Sequence, residues 1–68
     1  MGIETIVFDD REFTFKGTQK EIQHQKEIAY ETDKNFRAEI NNTYGTWDNY
    51  LSGKYLKSAA IPLIKKES

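Results

Sequence analysis

Five residues, Gly17-Thr18-Gln19-Lys20-Glu21, divide the chain into two stretches of different periodicity. Thr18 and Glu21 have the spacing of a capping box. In that motif the Thr hydroxyl accepts from the amide of Glu21, and the Glu carboxylate accepts from the amide of Thr18. A helix is therefore expected to begin at Gln19. From there to about Asn42 the sequence holds no Gly or Pro and is rich in good helix formers.

Before Gly17 the pattern is that of strands. Ile3 to Phe8 is rich in β-branched and aromatic residues, and Glu12 to Lys16 alternates polar with apolar. Asp9-Asp10-Arg11 lies between them as a turn. Phe13 and Phe15 share one face at a period of two, and Ile6 and Phe8 can join them. This predicts a β-hairpin.

On the helical stretch Ile22, Ala29, Phe36 and Ile40 fall within about 40° of one another at 100° per residue. Gln25, Lys26, Thr32 and Asp33 interrupt this stripe, and Ile28 and Tyr30 lie off it. The favoured expectation is one long helix laid across the hairpin. The alternative is a break near Thr32-Asp33, with Asp33 capping a second piece.

Asn41 to Gly45 reads as a turn. Thr46 then caps a short helix in which Trp47, Tyr50 and Leu51 share a face, with Gly53 as its stop. Pro62 bars a helix interior from the tail. The expectation there is an edge strand around Ala60 to Lys65, with a helical turn capped by Ser58 as the alternative. The fold class expected is thus α+β: an N-terminal hairpin packed against a long helix, then a short helix and a tail that adds a third strand.

Sixty-eight residues are expected to make a single small domain, 1–68, with a thin stability margin. The chain has no Cys, so disulfides and thiolate metal sites are excluded, and its one His is too few for a zinc site by itself. Aromatic residues make up 13% of the chain, which argues against disorder. No stretch approaches the roughly 20 apolar residues of a membrane span. The N-terminus lacks the features of a secretory signal. A cytoplasmic protein with no membrane partner is expected. The usage of Lys, Ile and Asn fits an AT-rich genome, such as a bacterium's or its phage's; a phage protein would work in the host cytoplasm.

No nucleophile elbow, phosphate loop, zincin helix or dinucleotide fingerprint is present, and a chain this short has little room for a ligand pocket. A non-catalytic protein with no cofactor is expected. His24, Glu27 and Glu31 have helical spacing for a metal, but three exposed ligands on one helix coordinate poorly, and a solvated face explains them. Asp9, Asp10 and Glu12 are explained by turn chemistry rather than by acid–base work.

Two features bear on function. Net charge is uneven: residues 1–33 carry four basic and eight acidic groups, −4, whereas residues 34–68 carry six basic and three acidic, +3. Ordinary surface scatter accounts for this, although a basic C-terminal part also suits an acidic partner or nucleic acid. The second feature is the run Tyr44, Trp47, Tyr50 and Tyr55, four polar-tipped rings in twelve residues. With Phe8, Phe13, Phe15 and Phe36 available for the core, these rings exceed its needs. Tyr and Trp are enriched as anchors of protein interfaces. Arg37, Lys54 and Lys57 would give such a patch a basic rim, and Tyr30 would extend it.

The leading expectation is therefore a small protein-binding regulator or inhibitor that occludes a partner surface, with a homodimer as one version of it. The alternative is a DNA-binding regulator using residues 36–57 as a helix-turn-helix, offering Thr46, Asn49, Ser52 and Lys54 to DNA. Against that, Asp48 stands on the would-be recognition helix and no Arg does. A small structural component of a larger assembly is the third expectation.

Overall fold

A computed structural model describes residues 1–67. The chain runs β1 (Gly2–Val7), β2 (Glu12–Gly17), α1 (Gln19–Thr32), α2 (Lys34–Tyr44), α3 (Trp47–Ser52) and β3 (Leu63–Glu67). The three strands form an antiparallel sheet in the order β2-β1-β3. This is the expected α+β architecture, and the tail supplies the third strand.

The hairpin register pairs Ile6 with Phe13, Thr5 with Thr14 and Glu4 with Phe15. That register puts Ile6, Phe8, Phe13 and Phe15 on one face, and it carries Glu4 onto the same face. The turn closes through the Phe8 amide, which donates to the Arg11 carbonyl at 2.7 Å. On the opposite face Thr5 and Thr14 share a hydroxyl hydrogen bond of 3.2 Å.

Both arms of the capping box form. The Thr18 amide donates to Glu21 Oε1 at 2.9 Å, and the Glu21 amide donates to Thr18 Oγ1 at 3.2 Å. Gly17 precedes the box with φ of +135°, which L side chains rarely adopt, and a Cβ there would stand 3.0 Å from the Glu21 Cβ. The strand-to-helix corner depends on that residue lacking a side chain.

The single long helix is not what forms. Helix α1 ends at Thr32, and Asp33 leaves helical geometry with φ −99° and ψ 107°. Its carboxylate accepts from the amides of Asn35 at 2.9 Å and Phe36 at 3.3 Å, so it caps α2. The Thr32 hydroxyl donates back to the Ile28 carbonyl at 2.7 Å, the competition with the backbone that Thr offers near a helix end. Length gives the reason for the break. An unbroken helix over 19–44 would be about 39 Å long, whereas a six-residue strand spans about 20 Å. Breaking at Asp33 lets both pieces lie over the same sheet face.

The core between the helices and the sheet contains Ile6, Phe8, Phe15, Ile22, Phe36, Ile40 and Tyr44. Phe36 meets Phe13 edge-on at 5.0 Å and Phe15 at 5.5 Å, and Phe13 meets Phe8 at 5.9 Å. The third strand lies a few residues beyond the expected Ala60–Lys65. Pro62, with no amide hydrogen to donate, is buried just ahead of it.

Candidate functional site

The rings singled out from sequence form one continuous file. Tyr30 lies 4.9 Å from Trp47, Trp47 lies 5.1 Å from Tyr50, and Tyr50 lies 4.9 Å edge-on from Tyr44. Tyr55 stacks on the far side of Tyr44 at 5.0 Å. Local chemistry places them. Gly45, with φ of +94°, ends α2, and the Thr46 side chain accepts from the Asn49 amide at 3.1 Å to start α3. Asn49 Nδ2 donates to the Tyr44 carbonyl at 2.9 Å and ties the turn to α3. Gly53 ends α3 in the left-handed region, and the Leu56 amide then donates to the Thr43 carbonyl at 3.0 Å, returning the chain to α2.

The file divides between interior and surface. Tyr44 is 1% exposed and belongs to the core, so its part is to support the rings on either side. Tyr30, Trp47 and Tyr50 are half-buried against that core, and the Tyr30 hydroxyl donates to Asn41 Oδ1 at 2.6 Å. Tyr55 is 41% exposed, and Leu51 and Leu56 are exposed close to it in the chain. The expected basic rim is also at the surface: Lys54 and Lys57 flank Tyr55, and Arg37 is exposed one helical turn before Asn41 on α2. None of the three makes an ion pair among the described residues.

The middle ring of this file, Tyr50, adjoins a feature that the sequence reading passed over. Glu4 and Lys26 are both 7% exposed and form an ion pair. The Lys26 ammonium also lies over the Tyr50 ring, 5.4 Å from its centroid. Lys66 on β3 approaches the other Glu4 oxygen at 3.7 Å. The signal was present in the spacing. Glu4 has the parity of Ile6 on β1 and of Phe8 just beyond it, and Lys26 follows the buried Ile22 by four residues on α1.

Burial raises the Tyr44 phenol above its ordinary value, with the neighbouring Tyr55 adding to the shift. Burial raises Tyr50 as well, helped by the Glu4 carboxylate. Raised folded-state values mean that this contribution is fully present below about pH 10 and is lost as pH rises further. The unfolded chain ionises at both positions while the folded chain resists. Stability is expected to fall by up to about 1.4 kcal/mol per pH unit for each ring, less for the half-buried Tyr50. Urea midpoints measured from about pH 8 to about pH 11 check this, and a midpoint flat across that range would remove burial as the cause.

His24, Glu27 and Glu31 are exposed on α1, and no three ligating side chains among the described residues could hold a metal ion. Asp9 and Asp10 are exposed in the hairpin turn. In the segment 36–57, Thr46 and Asn49 have their side chains engaged in the turn, and Trp47 and Tyr50 pack against the core. The exposed residues of α3 are Asp48, Leu51 and Ser52. No helix among the described residues is long and apolar enough to cross a membrane. Comparison of the chain with models of protein families, with curated proteins and with solved structures finds no match.

Proposed function

We propose that this chain is a small non-catalytic protein-binding regulator that covers a partner surface with the exposed residues Tyr55 and Leu56. The observation that carries the reading is the division of the ring file. A rigid base of Tyr44, Trp47 and Tyr50 is packed into the core, and Tyr55 is stacked on it while 41% exposed. A ring held in place before binding loses little conformational freedom on contact, which suits an interface anchor. Lys54 and Lys57, exposed on either side of it in the chain, would supply a charged rim.

The DNA-binding reading draws less support. Asn49 and the Thr46 hydroxyl serve the turn, and Asp48 is exposed on the same short helix, where it would face phosphates.

The test compares the chain with its Tyr55→Ala variant, both immobilised and exposed to extract of the organism that encodes it. Tyr55 is a surface residue, so the variant should keep its fold, which circular dichroism checks. The expected result is a protein retained by the parent chain at about 0.5 M salt, which screens charges beyond a few ångströms. The variant should bind it at least about tenfold more weakly. Equal retention by both proteins would overturn the reading. Capture of nucleic acid that elutes as salt rises would favour the DNA-binding alternative.

A further inference from the structure

The two edges of the sheet differ. Helix α1 packs along β2, and Gln25 Nε2 donates to the Lys16 carbonyl at 2.7 Å, so that edge is engaged by the protein's own helix. Strand β3 pairs with β1 on one side and has no neighbour among the described residues on the other. All five of its residues are exposed. An open edge presents a row of unpaired amide and carbonyl groups, a ready template for another strand.

A groove lies beside this edge. It is on the helix-bearing side, has a volume of about 200 Å³, and is lined by Ile64 of β3, Leu51 of α3 and Tyr50, together with Glu4 and the two lysines that approach it, Lys26 and Lys66. Leu51 is 51% exposed and Ile64 38%, so apolar surface lies where an added strand would place its inward side chains.

Charge selects the occupant. Lys65 and Lys66 are successive on β3 and so fall on opposite faces of its edge. Lys65 makes no ion pair among the described residues, and Lys66, 3.7 Å from the buried Glu4, keeps 68% of its side chain exposed to a further acidic group. Edge lysines are a device against unwanted pairing, and here they act against a second copy of this chain. In an antiparallel pair of β3 with its copy, centred on the strand, Lys65 would face its own counterpart, and like charges directly opposite are destabilising. The same two lysines complement an acidic strand.

We propose that the free edge of β3 receives an extended acidic segment of a partner protein. The segment adds as a fourth strand by main-chain hydrogen bonding, sets two acidic residues against Lys65 and Lys66, and seats one apolar side chain on Leu51 and Ile64. This rests on the protein-binding reading but uses a surface other than the Tyr55 face, so the two can fail separately.

The test is an amide NMR titration of the whole chain with a disulfide-closed β-hairpin peptide whose free strand reads Thr-Glu-Glu-Val-Thr. A second hairpin carries Lys in place of both Glu. Closing the hairpin removes most of the ordering cost that weakens a linear peptide. The acidic hairpin is expected to shift the amides of Leu63–Glu67 and of Leu51, and to bind roughly tenfold more tightly than the Lys hairpin. Lys65→Glu, which leaves the Glu4–Lys26 pair intact, should remove most of that preference. Tyr55→Ala should leave it unchanged. No shift on β3 at millimolar acidic hairpin, equal binding of the two hairpins, or shifts confined to residues 54–57 would each overturn the inference. The last of these would still leave the Tyr55 face as a binding surface.

Discussion

Phe36→Ala is expected to leave the chain largely unfolded at 25 °C. Phe36 is 0% exposed and stands where α2 meets the sheet, edge-on to both Phe13 and Phe15. Removing a buried phenyl ring costs about 3–5 kcal/mol, because the vacated space closes only in part. Each lost edge-to-face contact adds roughly 0.5–1.5 kcal/mol to what area alone would predict. A core of this size supplies about 3–5 kcal/mol in total, so the loss equals the margin. The far-UV circular dichroism of the variant should resemble that of the parent chain in urea. Ile61→Ala, at a residue 74% exposed, serves as the control and should stay within about 0.5 kcal/mol. A Phe36→Ala variant that kept a cooperative urea transition within about 1 kcal/mol of the parent would mean that the core is not organised around this ring.

The elements that could be read in advance are those fixed by neighbours in sequence. Gly17 and the Thr18–Glu21 box set the strand-to-helix corner, and Thr46 and Gly53 bound the short helix, because each acts through hydrogen bonds within a few residues. The hairpin register follows from placing four apolar side chains on one face. The break at Asp33 was visible only as an alternative. Thr32 and Asp33 supply the capping groups, but whether they are used depends on how much sheet there is to cover, which no local pattern states. The extent of β3 has the same origin. Pro62 excludes a ladder amide locally, while the strand's pairing with Ile3–Val7 is settled across the fold.

The candidate site divides along the same line. Tyr44, Trp47, Tyr50 and Tyr55 were legible as a group by spacing, and their contact in one file follows from the Gly45 turn. Which of them faces inward was not legible, since that depends on how α2 and α3 are rotated against the sheet. Tyr44 extends the Phe36–Ile40 row at intervals of four and goes inside, and Leu51, an apolar residue, ends up outside. Glu4 and Lys26 show the limit more sharply. Each stands at a position whose parity marks it as inward, yet an isolated charge there reads as an interruption until the partner on another element is known.

That pair carries the second large effect. Lys26→Met should destabilise the chain by about 3 kcal/mol, the low end of the range for breaking a buried ion pair. The loss arises because Glu4 stays buried with its charge, while Glu4 Oε2 has no other donor within reach. Lys66, 3.7 Å from the other oxygen with a mostly exposed side chain, can move closer and keeps the loss from being larger. Glu4→Leu should cost less, about 1–2 kcal/mol. The lysine it strands keeps the Tyr50 ring face, and its long stem can carry the ammonium out into the groove beside it. The double variant should recover most of the parent's stability or exceed it, because a well-packed apolar pair avoids the desolvation of two charges. Urea denaturation of the four proteins closes the cycle, and the coupling energy should be about 3 kcal/mol or more in favour of the paired states. Additive losses would mean that the two side chains act separately, each through its own packing. Recovery in the double variant would mean that the pair adds no net stability over an apolar contact between α1 and β1.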